Sequence, residues 1–191
     1  MNYNNYTDIE LITLLREGKP SANYVFNLIY LKYSAKFYGF CLYSTGSKEE
    51  ADELMQDTWM KFYNSIIAGK TTDKILPLLF SIARNIAINN YNHSNKKRSI
   101  DLVYFDNDKI EEFADPFGFQ SEIEKNELFK MIQIAVNSLD DIYREVMLYY
   151  WFGEMKFKDI AIICNENEWT IRKRYERAMK QMDKILKPYL V

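Results

Sequence analysis

The sequence predicts an all-α protein built from two helical domains. Apolar residues make up 48% of the 191-residue chain and aromatic residues 16%, which is enough material for a buried core. The chain contains only six glycines and four prolines, and it lacks extended alternating runs of β-branched residues. Both features disfavour a β-rich fold and favour helices.

Residues that begin helices recur along the chain. A capping box places Ser or Thr three residues before Glu, so that each side chain bonds the other's backbone N–H. The expected caps are Thr7 with Glu10, Ser47 with Glu50, Ser138 with Asp141 in the place of Glu, and Asn167. We therefore expect helices over residues 7–18, 21–45 and 48–67, and from about 75 to 91.

The charge pattern changes in the middle of the chain. Residues 74–100 contain no acid, whereas residues 99–125 carry eight acids and two lysines, together with Pro116 and Gly118. Such a polar, charged stretch is typical of an exposed, partly flexible linker. We predict an N-terminal helical domain over residues 1–98, an acidic linker over 99–122 and a C-terminal helical domain over 123–191.

The C-terminal segment predicts a helix-turn-helix. A short helix over 157–164 is followed by a polar turn at Asn165, which tolerates a left-handed backbone, and then by a basic helix. At about 100° per residue, the second helix has an apolar stripe and an opposite cationic face. The stripe consists of Ile171, Tyr175, Ala178, Met179, Met182, Ile185 and Leu186. In a helix-turn-helix the second helix enters the major groove of DNA, although a solvated charged face is the alternative.

Three motifs in this order resemble those of bacterial RNA polymerase sigma factors of the extracytoplasmic-function (ECF) group. They are "ADELMQDTW" from Ala51, "LPLLFSIARNIAI" from Leu76, and "IAIICNENEWTIRKRYERA" from Ile160. The chain departs from the family pattern at Asp140, where a proline is usual, at Glu166, and at Trp169. These departures leave the expected fold unchanged and concern the base preference at the −35 element.

The resemblance implies a sigma subunit that binds core RNA polymerase and reads the −10 and −35 promoter elements. The residues implied for core polymerase are Asp52, Glu53, Gln56, Asp57 and Trp59. The residues implied for the −10 element are Arg84, Asn85, Asn89, Asn90, Tyr91, Lys96, Lys97 and Arg98. The residues implied for the −35 element are Trp169, Thr170, Arg172, Lys173, Arg174 and Arg177.

Structural alternatives stay open for several of these residues. The acidic strip of Asp52 to Asp57 is alternatively a solvated helix face, and Trp59 is alternatively a core residue. Arg84 and Asn85 lie inside an apolar helix, and Arg174 flanks the apolar stripe, where a salt bridge within the domain is the alternative. Lys74 is a further candidate for phosphate contact.

Composition and motifs exclude several other classes. The single histidine, His93, lies in a polar stretch, and no metal-ligand spacing, nucleophile motif or phosphate-binding loop occurs, so we expect no cofactor, no metal and no enzyme activity. Cys41 and Cys164 lie within apolar patterns, which favours two buried reduced thiols over a redox pair. No apolar run reaches the ~18 residues of a membrane span, and we expect a cytoplasmic protein.

Two other functions stay open at this point. A stand-alone helix-turn-helix transcription regulator would bind DNA without core polymerase. A helical interaction protein, such as a sigma-like decoy, would bind a partner without promoter DNA. The net charge of −2 means that any surface attractive to DNA must be local. The resemblance also leaves open whether an anti-sigma protein regulates the chain.

Overall fold

Helices form every regular element in the part of the chain that the structure describes. The structure, a computed structural model, describes residues 6–17, 22–45, 47–94, 131–132 and 134–187, without the side chains of residues 90–94. Its helices are α1 (Asp8–Arg16), α2 (Ala22–Thr45), α3 (Lys48–Ile67), α4 (Ile75–Ser94), α5 (Asp141–Trp151), α6 (Phe157–Cys164) and α7 (Glu168–Leu186). The expected all-α fold is confirmed.

Most of the expected helix caps are present. Thr7 and Glu10 form the complete capping box of α1, and the Ser47 side chain accepts a hydrogen bond from the backbone N–H of Glu50 at the start of α3. The cap expected at Ser138 is wrong. The hydroxyl of Ser138 instead donates to the carbonyl of Ala135, in the preceding helical turn, at 2.7 Å. Helix α5 begins one residue after Asp140, whose side chain makes no capping hydrogen bond.

The Asp8 carboxylate joins three helices of the N-terminal half. It accepts hydrogen bonds from Lys32 and Tyr33 of α2 and, at 2.9 Å, from the backbone N–H of Ile75. Ile75 is the first residue of α4, so this bond satisfies one of the N–H groups that a helix start leaves without a partner. Burial and the bond to Asp8 raise the pKa of Tyr33 above its ordinary value. The phenol therefore remains a hydrogen-bond donor.

Aromatic side chains fill the space between α2, α3 and α4. Phe37, Phe62 and Phe80 are fully buried, and the Phe80 ring meets the edge of the Phe40 ring at 4.4 Å between centroids. Trp59 of α3 packs against the Phe37 and Phe62 rings. Edge-to-face pairs of this kind stabilise a core by more than their buried area alone.

Arg144 organises the start of the C-terminal half. Its side chain is 5% exposed and donates to the backbone carbonyls of Val136, Asn137 and Leu139, at 3.2, 2.7 and 2.7 Å, and to the carboxylate of Asp141 at 3.1 Å. A guanidinium can satisfy several carbonyls at once because it carries five donors. No local sequence pattern predicted this role of Arg144.

The two halves of the chain pack against each other through α2 with α5 and α4 with α6. Tyr149 of α5 stacks on Phe40 at 5.5 Å and meets Phe80 at 5.6 Å between ring centroids. Gly39 of α2 lies beneath the Phe152 ring, where a Cβ atom would come within 2.6 Å of a ring carbon. The sequence did not predict this contact, which requires glycine at position 39.

Replacing Arg144 tests its structural role. We expect Arg144→Ala to lower the free energy of unfolding by about 2–4 kcal/mol, because several buried carbonyls lose their donor. Chemical denaturation followed by circular dichroism would measure the loss. Arg177→Ala is the matched control, since Arg177 is exposed and a surface change of this kind costs less than about 0.5 kcal/mol. Equal losses in the two variants would contradict the assigned role.

Candidate nucleic-acid interface

The turn of the predicted helix-turn-helix is formed as expected. Asn165 adopts φ 53° and ψ 48°, in the left-handed region. Its N–H donates to the carbonyl of Ile162 at 3.3 Å, and the N–H of Glu166 donates to that of Ala161 at 3.0 Å. These two bonds form a Schellman motif, which ends α6 and redirects the chain toward α7. The left-handed backbone that the sequence analysis allowed at Asn165 is therefore present.

The start of α7 projects away from the core. Asn167 caps the helix by accepting from the Thr170 N–H at 2.8 Å, as the sequence predicted. Trp169 is 68% exposed and Ile162 of α6 is 72% exposed. Two large apolar side chains are therefore presented to solvent at the helix-turn-helix, next to the partial positive charge of a helix N-terminus.

Three of the four cations predicted to contact the −35 element pair with nearby acids. Arg172 lies 2.9 Å from Glu168, and Lys173 lies 2.7 Å from Glu176. The Lys173 hydrogen bond lowers the pKa of Glu176, so this carboxylate stays ionised. Arg174 pairs with Glu166 of the turn, as the alternative for this residue predicted. Arg177 is exposed and forms no ion pair with any other described residue.

The apolar face of α7 follows the predicted stripe only in part. Ile171, Ala178 and Met182 are buried against α5 and α6, whereas Met179 is 42% exposed. Arg172 also lies over the ring of Phe157, 4.9 Å from its centroid, which adds a cation–π contact to its ion pair. Arg172 thus has two contacts within the chain.

Helix α4 carries five of the eight residues predicted for the −10 element. Asn85 and Asn89 are exposed. Arg84 donates to Glu145 of α5 at 2.7 Å, and both side chains are 25% exposed. Burial alone lowers the pKa of Arg84, but the Glu145 charge raises it above its ordinary value. Asn90 and Tyr91 belong to α4 without described side chains, and Lys96, Lys97 and Arg98 lie outside the described residues.

The strip predicted for core polymerase lies on the exposed side of α3. Asp52, Glu53, Gln56 and Asp57 are all exposed, whereas Trp59 is only 5% exposed. The side chains of Asp52, Gln56 and Trp59 line an open groove of about 740 Å³ between α2 and α3. Trp59 therefore forms a wall of this groove while it packs in the core.

Residues of α2 complete the groove, and no sequence pattern predicted them. Tyr38 donates to Asp52 at 2.6 Å, and Tyr30 lies against Trp59 at 5.2 Å between ring centroids. Burial and the bond to Asp52 raise the pKa of Tyr38, which keeps its hydroxyl protonated. Aromatic residues occur throughout α2, so spacing alone does not distinguish these two tyrosines from core residues.

Both cysteines are buried free thiols, as predicted. Burial raises the pKa of Cys164 to about 12 and also raises that of Cys41, which leaves little reactive thiolate. Among the described residues, no group of three or more potential ligands could hold a metal ion. No described helix is long and apolar enough to cross a membrane.

Comparison with known proteins gives the class of this fold. The family profile "Sigma-70 region 2" matches residues 29–97, and "Sigma-70, region 4" matches residues 129–182. A four-helix unit followed by a helix-turn-helix unit, matched by these two profiles in this order, defines a promoter-recognising sigma factor of the sigma-70 type. The stand-alone regulator is accordingly not favoured.

Individual relatives show to which group of sigma factors the chain belongs. The ECF RNA polymerase sigma factor SigM of Bacillus subtilis is 30% identical over 159 residues, which cover 81% of this chain and 90% of SigM. The RNA polymerase sigma-H factor of Pseudomonas aeruginosa is 23% identical over 190 residues, covering 96% of this chain and 95% of the relative. The chain belongs to the ECF family of RNA polymerase sigma factors.

Solved structures share the fold. The sigma factor RpoE of Bartonella quintana, in complex with the anti-sigma factor NepR, has a TM-score of 0.65 at 21% identity, covering 85% of this chain and 96% of RpoE. CnrH, in complex with the cytosolic domain of CnrY, has a TM-score of 0.66 at 14% identity, covering 95% of this chain and 97% of CnrH.

The backbone at Asn165 provides a test of the turn. We expect Asn165→Ala to destabilise the chain by about 1 kcal/mol, because an alanine is strained in the left-handed region. Asn165→Gly is the matched control and should preserve or slightly increase stability, because glycine adopts this conformation freely. Thermal unfolding of the two variants would separate them. A loss that is the same in both would contradict the requirement for a left-handed residue.

Proposed function

We propose that this sigma factor binds core polymerase and the two promoter elements through three separate surfaces. The acidic strip of α3 docks on core polymerase, the exposed side of α4 contacts the −10 element, and the first half of α7 contacts the −35 element. The co-occurrence on one chain of an exposed acidic strip and a formed helix-turn-helix carries the proposal. We further propose that the functional domains have the bounds 1–98 and 123–191, with residues 99–122 as the linker.

The chemistry of the α3 strip suits a cationic partner. Asp52, Glu53 and Asp57 supply carboxylates, and Gln56 supplies an amide on the same face. Carboxylates form paired hydrogen bonds with guanidinium groups. The groove beside the strip offers the Trp59 ring and the Tyr38 hydroxyl to an inserted side chain. An arginine-bearing helix of the polymerase fits this combination of charge and aromatic surface.

The chemistry of α7 suits a promoter duplex. Arg172 and Thr170 lie in the first turns, where a recognition helix reaches base edges, and arginine favours guanine O6 and N7. The positive charges of the same helix suit contacts to DNA phosphates; they belong to Lys173, Arg174 and Arg177. Trp169 adds an exposed apolar surface suited to a thymine methyl group. The acids Glu166, Glu168 and Glu176 offset part of this charge, which favours dependence on base contacts over general attraction to DNA.

For the −10 element, Asn85 and Asn89 offer amide groups on the exposed side of α4. We propose that contacts to the −10 element also come from Asn90, Tyr91, Lys96, Lys97 and Arg98. Unstacked bases of an opened strand are bound by hydrogen bonds to their edges and by stacking on aromatic rings, while cations hold the phosphates.

We propose that the chain acts in the cytoplasm as a non-enzymatic subunit that directs the polymerase. An anti-sigma protein is its proposed regulator, because two structures of similar fold contain a partner: NepR, described as an anti-sigma factor, with RpoE, and the cytosolic domain of CnrY with CnrH. Run-off transcription with sigma-free core polymerase and fragmented host DNA tests the whole proposal. Discrete start sites sharing two upstream elements support it, and the absence of both core binding and start sites overturns it.

The α3 strip can be tested without DNA. We expect Glu53→Ala together with Asp57→Ala to weaken core polymerase binding about tenfold, as expected for the loss of a central charged contact. Glu49→Ala together with Glu50→Ala is the matched control on the same helix, outside the strip. Fluorescence titration of labelled chain with core polymerase measures both. Equal affinities in the two double variants would contradict the assignment of the strip.

Two residues of α7 should affect promoter binding differently. Arg177→Ala should weaken binding to every −35 sequence alike and reduce the salt slope of log affinity by about 1, since it removes a phosphate contact. Trp169→Ala should instead change the preferred base at one position of the −35 element. Binding of the polymerase holoenzyme to a library of −35 variants, at several salt concentrations, distinguishes the effects. Lys187→Ala, at the far end of α7, is the control expected to change neither.

A further inference from the structure

The side of α7 that faces away from the core carries a row of four side chains. Ile171, Ala178 and Met182 are buried, which fixes the side of the helix that faces the core. At about 100° per residue, a row on the opposite side has spacings of four, three and four residues. This outward row consists of Trp169, Lys173, Glu176 and Lys180. The outward side of the second helix of a helix-turn-helix lies in the major groove, so this row faces the base edges.

Lys173 and Glu176 form an ion pair within the outward row. The Nζ atom of Lys173 lies 2.7 Å from a carboxylate oxygen of Glu176, and the two side chains are 44% and 45% exposed. The ion pairs of Arg172 and Arg174 lie to either side of the row, since Arg172 lies over the Phe157 ring and Arg174 flanks the apolar stripe. A duplex that contacts the outward row therefore meets the pair of Lys173 and Glu176.

This pair offers a hydrogen-bond donor and an acceptor side by side. The ammonium group of Lys173 carries three donors, and an ionised carboxylate carries only acceptors. The hydrogen bond from Lys173 lowers the pKa of Glu176, so the carboxylate is ionised at neutral pH.

A G·C base pair presents the complementary arrangement in the major groove. The O6 and N7 acceptors of guanine lie next to the N4 amino donor of cytosine. O6 and N4 are hydrogen-bonded to each other at about 2.9 Å. This separation is close to the 2.7 Å between the Lys173 and Glu176 atoms, so the ion pair can stay formed while each partner bonds one of the two bases.

We propose that Lys173 and Glu176 together read one G·C base pair of the −35 element. Lys173 donates to O6 and N7 of the guanine, and Glu176 accepts from the N4 amino group of the cytosine. Lys173 then contacts a base instead of the phosphate that its charge alone suggests. The inference rests on the proposed role of α7 at the −35 element and adds the base pair that this part of the helix recognises.

An A·T base pair fits the same two side chains less well. Its N6 donor lies between the N7 and O4 acceptors, and the thymine methyl group lies beside O4. If Glu176 accepts from N6, Lys173 finds the single acceptor O4 in place of two adjacent ones, next to an apolar methyl group. We therefore expect binding to weaken about tenfold when A·T replaces G·C at this position, which is within the usual effect of one mismatched base pair.

Binding of the polymerase holoenzyme to a library of −35 variants tests the role of Glu176. Glu176→Ala should reduce the preference for G·C over A·T at one position from about tenfold to less than about twofold, and leave the preferences at the other positions unchanged. Alanine is the best helix former, so this variant retains α7. Asp183→Ala is the matched control, because it removes one exposed acid from the same helix nearer its C-terminal end. It should leave every preference unchanged.

Lys173→Ala distinguishes a base contact from a phosphate contact. If both side chains read one base pair, this variant loses its preference at the same position as Glu176→Ala. The double variant then loses little more than either single variant, because residues in contact are coupled. Replacing the guanine by 7-deazaguanine, which lacks N7, should weaken binding of the unaltered chain and affect Lys173→Ala less. A phosphate contact would instead weaken binding to every sequence alike and reduce the salt slope by about 1, which would overturn the inference.

Two results for Glu176→Ala would also overturn the inference. Tighter binding to every −35 sequence by the same factor would mean that Glu176 only repels phosphates. Unchanged preferences and affinities would mean that the ion pair only supports the helix, as pairs three residues apart commonly do.

Failure of the base-pair reading can be told from failure of the sigma role. Run-off transcription by the unaltered chain tests the sigma role, and it does not depend on Glu176. If transcription starts are discrete but Glu176→Ala and Asp183→Ala have the same base preferences, only the reading of G·C is wrong. If the unaltered holoenzyme does not discriminate between −35 sequences, the proposed role of α7 fails, and the inference fails with it.

Discussion

The packing of Phe80 against Phe40 and Tyr149 is the contact on which the arrangement of this protein depends. Phe80 and Phe40 hold α4 on α2, and Tyr149 brings α5 of the C-terminal half onto the same two rings. The Tyr149 hydroxyl donates a hydrogen bond to the Glu145 carboxylate at 2.8 Å. The same carboxylate also accepts a hydrogen bond from Arg84. One aromatic cluster thus supports both a hydrophobic core and the ion pair above it.

This cluster joins α4 to the half of the chain that carries the helix-turn-helix. Helix α4 is the proposed −10 element reader, and its Arg84 is held by a carboxylate of the half that carries the recognition helix. A buried or half-buried ion pair is stable only while both partners remain in place, since an uncompensated charge is costly to leave in a poorly solvated position. Separation of the two halves would therefore leave Arg84 and Glu145 without each other's charge.

The cations of α7 are also paired with acids, here from the same helix and from the turn before it. Glu166, Glu168 and Glu176 pair with three cations of α7, and the ring of Phe157 supports Arg172 from below. These pairs reduce the field that attracts DNA from a distance. The net charge of −2 means that the chain as a whole adds no such attraction.

The sequence by itself determined the helical fold, the bounds of α2, α3 and α6, the caps at Thr7, Ser47 and Asn167, and the left-handed turn at Asn165. Each of these depends on neighbouring residues in the chain, so local spacing is sufficient to predict them. Only the tertiary structure decided which residues meet across the two halves, because Gly39, Glu145 and Phe152 carry no local signal of their partners. Packing over long sequence distances, rather than helix propensity, fixes these contacts across the two halves. The cap expected at Ser138 failed for a local reason, because its hydroxyl bonds the carbonyl of Ala135 three residues earlier.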